Sequence, residues 1–521
     1  MRKLLIVPIS FCLLVGVLGS DAWAGVNGWD HVGNGGSATT PSLDGSVYAL
    51  HADGTDLYVG GTFTHAGGVP ATHLARWDGS QWSGFTGLNG DVHAIAVANG
   101  KVYVGGVFTN AGGDPNADFL AVWNGSNWAS FCSSTGGPPI TASVQALQVL
   151  GNTLYIGGSF ANGGGLAAAD FLVGCDLTTG AASSTVASDG GMTGSVLALT
   201  AAGGTLYAGG AFINVGGNLA IDHVGAYDGS WHSMGTGPSP GGGPIDSFVR
   251  SLASDGTNVY VGSDSLNIGG VAAADHVAKW NGSAWSAMGS SYFSTTTFIY
   301  ALAVSGPFVF AGGSFQNESG DPLADQIVYW DGVSWHHLGS NGAGNGPYIG
   351  TTDALATVGT RVYTGGNFTS AGGDTLAEGI ARSPIQQPDA QIGTSATGPF
   401  TGNGIYSATA SKESLSINVQ RGRHGTFYMK FANDGLTAST YLLQATGHAK
   451  GYTTTYTVGT TDVTAQIKAG TYSTLLFSGG SITMKLVVNV ANSAGNSASF
   501  LVDAAETSVP TDAVKAVVKA K

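Results

Sequence analysis

The chain repeats itself, and the repeat constrains the fold more than any other feature. Seven segments share a Tyr/Phe-x-Gly-Gly core, starting at Tyr58, Tyr103, Tyr155, Tyr207, Tyr260, Phe310 and Tyr363, with Ser263 replacing the second Gly of the fifth copy. Successive cores lie 45 to 53 residues apart. A Val-x-Ala-Leu run precedes each core (47–50 in the first copy). An Ala-Gly-Gly loop, a Leu-Ala-x-Trp run (74–77), a turn such as Asp78-Gly79 and a second aromatic run at Trp82 follow. Asp-Gly and Asn-Gly supply the positive φ angles of tight hairpins, so each unit reads as four short strands. One such sheet leaves both faces wet, whereas stacked neighbours bury them. Four strands in about 50 residues match a propeller blade, which predicts an all-β chain with a seven-bladed β-propeller over 25–384.

The tryptophans sharpen this expectation. Of 11, nine occupy the two aromatic positions of the repeats and Trp23 lies near the N-terminus, which leaves Trp29. Its segment, Trp29-Asp30-His31-Val32-Gly33, reads as a fourth strand, and the seventh repeat ends at Arg382 without one. The N-terminal strand is therefore expected to complete the seventh unit and close the ring, removing an open sheet edge. Composition agrees: 85 Gly and 16 Pro provide turns, and 43% hydrophobic residues suffice for a core and exclude disorder as the main state.

The order Leu-Tyr-Val-Gly-Gly, aromatic-Asp-Gly, Trp over residues 29–384 resembles the kelch-type repeats of galactose oxidase-like propellers. It is also similar to the repeats of bacterial secreted propellers and of fungal Rax-type cortical polarity markers. The resemblance implies a fold and no single activity, since such propellers are enzymes, adhesins and scaffolds alike. The third repeat departs from the pattern, with Cys175 at the Trp position.

Beyond about residue 390 the repeats stop. Segments 415–419, 426–431, 441–445, 482–490 and 498–502 alternate or run apolar between turn residues, which predicts a β-sandwich over 405–521 after a linker over 385–404. This part is similar to the immunoglobulin-like modules that end many exported bacterial proteins. At the other end, Arg2 and Lys3, an apolar run over 4–19 and Ala22-Trp23-Ala24 predict a signal peptide over 1–24, hence a secreted or cell-surface protein. No later stretch approaches about 18 apolar residues, so no membrane insertion is expected.

Residues 25–384 hold six basic against 24 acidic side chains, which argues against nucleic acid as a partner. Compact catalytic signatures and phosphate-binding loops are absent from the sequence. Long connections after the second and fourth strands share one end of the sheets, where ligand sites on rigid scaffolds favour variable loops. There the x of Val-x-Ala-Leu changes while its neighbours repeat: Tyr48, His93, Gln145, Leu197, Arg250, Tyr300 and Asp353. The six that can hydrogen-bond (Tyr48, His93, Gln145, Arg250, Tyr300 and Asp353) form the candidate ligand-binding set for a sugar or a peptide tip. The same residues would equally line a wet channel, and the sequence leaves both readings open.

Acids entering the third strands (Asp118, Asp170, Asp222, Asp275, Asp325, Glu378) lie too far outside the first strands to share an ion, and are expected to hold their own loop amides. No cofactor or metal is expected. Loop aromatics Phe248, Tyr292, Phe293, Phe298 and Tyr348 either stack on a ligand or pin the loops. Strand lengths place Cys132 and Cys175 at opposite ends of their sheets, so the two are expected to be unpaired. Together these point to an exported, non-catalytic binding or structural protein recognising an extracellular protein or glycan. The alternative is a secreted propeller oxidase or lyase acting on polysaccharide, with His93, Tyr300 and Arg250 as its candidates.

Overall fold

A computed structural model describes residues 29–33, 39–133, 140–183, 186, 192–289, 292–384, 388–402, 410, 413–433, 435, 439–447, 449–476, 480–506 and 509–521. The expected signal segment lies outside these residues. The chain is all-β, with seven four-stranded antiparallel sheets followed by a six-stranded and a five-stranded sheet.

In the first sheet, Val47–Asp53, Asp56–Gly61, Leu74–Trp77 and Trp82–Gly84 pair in chain order. The next five sheets repeat this order, with first strands Val92–Ala98, Val144–Leu150, Val196–Ala202, Val249–Ser254 and Phe298–Ser305. The seventh takes Thr351–Val358, Arg361–Asn367 and Ile380–Pro384 from the end of the repeats, and its fourth place is filled by Asp30–His31. Asp30 pairs with Arg382 in register and also binds its guanidinium, Nη2 to Oδ2 at 3.0 Å, with both side chains almost fully buried. His31 Nδ1 reaches Asp374 Oδ2 at 2.7 Å.

First strands of successive sheets lie against one another, and that of the seventh lies against that of the first. The Gly-Gly cores explain how they come so close. A methyl group added to Gly60 would sit 2.5 Å from Cγ1 of Val92 in the next sheet. The same relation joins Gly105 to Val144, Gly157 to Val196, Gly209 to Val249, Gly262 to Ile299, Gly312 to Thr352 and, across the chain's ends, Gly365 to Val47. The second Gly faces backbone instead: a Cβ on Gly61 would lie 2.0 Å from the Ser46 carbonyl oxygen.

Tryptophan ties the outer parts of the sheets. The indole N–H of each fourth-strand Trp donates to a carbonyl at the exit of the preceding sheet: Trp82 to Val32, Trp128 to Thr86, Trp231 to Val186, Trp285 to Met234, Trp335 to Met288 and Trp29 to Leu338. These six bonds include the one between the seventh and first sheets. The junction between the second and third has Ala182 in the Trp place, and Cys132 is disulfide-bonded to Cys175 there, with Cα atoms 5.5 Å apart.

That bridge corrects the expectation of unpaired cysteines. Strand length alone separates the two cysteines only if neighbouring sheets stand parallel, whereas successive strands rotate by some 20–25°. The chain leaving one sheet consequently crosses close to the third strand of the next. Gly33 touches the Trp77 ring and Gly289 the Trp330 ring at the equivalent crossings. Cys132, with φ 72°, takes the place of such a glycine, and Cys175 that of the indole. A covalent bond replaces a ring-on-glycine contact.

The second unit starts earlier than expected. Pro388–Gly393, inside the segment read as a linker, is a strand of the six-stranded sheet and pairs with His424–Asn433. Its only large apolar residue is Ile392, buried with Ala390, a signal too short to stand out beside Pro and Gln. The two sheets share one core: Ile392, Phe427, Met429 and Leu486 from one meet Tyr441, Leu443, Phe500 and Val518 from the other.

Candidate functional site

A β-bulge sits in the first strand of every one of the seven sheets. The register slips between Val47 and Ala49, Val92 and Ala94, Val144 and Ala146, Val196 and Ala198, Val249 and Ser251, Ile299 and Ala301, and Thr352 and Ala354. The residue skipped is in each case the variable x of the repeat. A bulge leaves one residue outside the ladder and re-aims its side chain. The paired β-branched residue before it is held by the glycine of the preceding sheet, so framework and variable position are separated by a single residue.

The re-aimed residues converge. Tyr48, His93, Gln145, Leu197, Tyr300 and Asp353 line one cavity of about 190 Å³, floored by the Ala and Leu of the repeats. Five of the six candidate residues are thus brought together. Arg250 is not in the lining. Its guanidinium turns to Asp264, with Nε to Oδ1 and Nη2 to Oδ2 both at 2.7 Å, and Ser251 lines the cavity instead. Leu197, set aside because it cannot hydrogen-bond, is part of the wall.

Burial sets the electrostatics. It holds the Asp353 carboxyl above its ordinary range, against one hydrogen bond from Thr351 Oγ1 at 3.0 Å. Burial lowers His93, favouring the neutral ring, and Nδ1 of that ring has no partner among the described residues. Tyr48 is raised by burial first and then by the charges of Asp91 and Asp353. Tyr300 is raised by burial, with Arg250 opposing and Asp353 reinforcing. Tyr48 meets His93 edge-on, ring centroids 5.3 Å apart. Gln145 Nε2 donates to Ser143 Oγ at 3.1 Å.

Other candidates separate into structural and exposed groups. Asp118, Asp170, Asp222, Asp275 and Asp325 each accept from the backbone N–H of an Asn eight residues earlier, itself left-handed with φ near 50°. These acids hold their loops. Tyr348 is buried with its hydroxyl bonded to Thr364 and Thr352, and Phe293 is buried against Phe315 and Trp335. Phe248 and Phe298 are exposed and flank Arg250, whose Cζ lies 5.9 and 5.3 Å from their centroids.

Sequence reasoning missed an asymmetry. In the seven-sheet unit, the exposed large apolar residues are Val69, Val107, Ile213, Leu219, Phe248, Leu266, Phe298, Ile349 and Val333. All but Val333 lie in or beside the long connections, at the end where the cavity opens. Their sequence signal is weak, because each is one apolar residue in a polar loop.

No protein-family pattern matches the chain, and no characterised protein matches it in sequence. Among solved structures, it is similar to domains 4 and 5 of the S-layer protein SbsC, at 18% identity and a TM-score of 0.14, over 21% of this chain and 48% of that one. A family 123 glycoside hydrolase from Clostridium perfringens aligns at 5% identity and a TM-score of 0.18, over 26% and 27%. The N-terminal domain of PorA aligns at 12% and 0.17, over 26% of this chain and 98% of that one. The chain thus spans about half of the first of these or less of the second, and scores this low carry no argument about fold or function.

Proposed function

We propose that the seven sheets are the blades of a closed seven-bladed β-propeller, and that the chain is an exported, non-catalytic binding or structural protein. The end carrying the long connections is its recognition surface for an extracellular protein or glycan. The cyclic set of glycine contacts, with Gly365 on Val47 completing the series, supports the closed wheel. The observation that carries the function is that exposed apolar side chains fall on the long connections, at the end of the sheets where six of the seven re-aimed variable residues line one cavity. Exposed apolar side chains gathered at one end of a scaffold, with Phe248 and Phe298 flanking Arg250, suit an interaction site. The two-sheet unit after residue 388 serves, in this reading, as an immunoglobulin-like spacer or tether. Among the described residues no helix is long and apolar enough to cross a membrane.

The disulfide and the Arg250–Asp264 pair weigh against the alternative of a polysaccharide oxidase or lyase. A thioether-linked Tyr requires a free Cys, and Cys132 and Cys175 are bonded to each other. Arg250, a candidate for a lyase, is neutralised by Asp264. Screening the full chain against glycan and protein arrays tests the proposal. Capture of a partner that Phe298→Ser abolishes supports it, whereas chemical turnover of the captured molecule contradicts it.

A further inference from the structure

The lining of the cavity is not evenly mixed around the ring. The first strand bearing Asp353 packs between those bearing Tyr300 and Tyr48, so one carboxylate stands between two phenol rings. Its charge acts on both rings, and Asp91 acts on Tyr48 and His93 from the next sheet. Among the lining residues there is no Lys or Arg. The one basic side chain at an equivalent position, Arg250, is drawn off into its two-bond pair with Asp264. Burial lowers His93 and favours its neutral ring, against the charge of Asp91. A desolvated carboxylate beside two phenol rings attracts a cation by its charge, and any ring face that the cation meets adds to this. Arg250, held by Asp264, shows that a guanidinium packs on these rings, with Cζ 5.6 Å from the Tyr300 centroid.

We propose that the cavity receives an ammonium or guanidinium group, presented by a lysine or arginine side chain of a partner protein. This rests on reading this end as the recognition surface, and it names the chemistry recognised there. Size favours a side-chain tip: about 190 Å³ is below the 300–1,000 Å³ of pockets that enclose whole ligands. The rim favours a protein over an amino sugar. Ile349, just before the strand of Asp353, is 75% exposed and finds burial only against apolar groups such as a protein offers, whereas the exposed rings of Phe298 and Phe248 suit either partner. The unit's excess of acids, 24 to six over 25–384, draws a basic partner to it.

The test titrates the full chain with N-acetyl-lysine methylamide, its neutral isostere N-acetyl-norleucine methylamide, and glucosamine, followed by saturation-transfer NMR. Saturable binding of the lysine probe is expected, weakened at least tenfold by Asp353→Asn and unchanged by Val333→Ala at the opposite end. Thermal melts establish that Asp353→Asn is folded; should it not be, Tyr300→Leu is the second variant and should weaken binding likewise. Equal binding of the norleucine probe, tighter binding of glucosamine, no saturable lysine binding, or full affinity in the folded variants each overturn the proposal. The wider reading is judged separately. A partner captured on the arrays through Phe298 without dependence on lysine or arginine leaves the surface standing and removes the cation, and lysine binding with no captured partner does the reverse.

Discussion

The two parts of the chain solve the problem of buried polar groups in opposite ways. In the seven-sheet unit, acidic side chains are given partners: Asp118 accepts from the Asn110 N–H at 2.7 Å and buried Asp30 binds the Arg382 guanidinium, while indole N–H groups reach between sheets to carbonyls. In the two-sheet unit, Asp389, Glu413 and Asp512 are buried close to where the unit begins, with the Glu413 carboxyl set beside that of Asp512. Burial and the neighbouring charges of Asp512 and Asp389 push Glu413 well above the ordinary carboxylate range. The first unit spreads its stability over seven similar junctions, whereas the second relies on one continuous core and tolerates a costly cluster beside it.

Perturbing single junctions breaks or sharpens this contrast. The largest effect is expected from Cys132→Ser with Cys175→Ser, which removes the covalent tie at the one junction without an indole. Closing 43 residues of chain by a disulfide is worth about 2–4 kcal/mol, so the melting transition of the first unit should fall while that of the second stays in place. Differential scanning calorimetry of the full chain reads both. Gly105→Ala should cost about 1–3 kcal/mol in the same transition, because the added methyl meets Val144 Cγ1 at 2.3 Å.

Glu413→Gln should act only on the second transition, and in the opposite direction. The folded state holds a proton that the unfolded carboxyl releases near its ordinary pKa of 4.5, so stability is highest below that value and declines as pH rises through the raised folded pKa. The variant should therefore melt higher than the wild type, with a gap that is larger at pH 8 than at pH 5. A gap independent of pH would mean that the carboxyl is not the source.

Much of the architecture was legible because repetition averages out local noise. The seven first strands, their Gly-Gly partners and the surplus Trp29 announce four strands per unit and a displaced fourth strand, and the pairing of Asp30 with Arg382 follows that pattern. The positions converging on the cavity were legible for the same reason, since a variable residue inside an invariant frame stands out. What the sequence hid depends on geometry between units. Cys132 and Cys175 come together through strand rotation, which no spacing expresses. Arg250 leaves the cavity because Asp264, 14 residues away and just past the end of the neighbouring strand, binds it. Pro388–Gly393 looked like a linker because its burial is imposed by partners more than 30 residues further along.

The proposed recognition end depends on the seventh sheet being completed by the N-terminal strand. Hydrogen–deuterium exchange on the full chain measures this directly, at the amides of residues 30–32 and 380–383. Matched slow exchange, lost together in one cooperative opening, is the result expected of a closed set of seven sheets. Exchange of residues 30–32 at the rate of an unstructured terminus, beside protected 380–383, would contradict it.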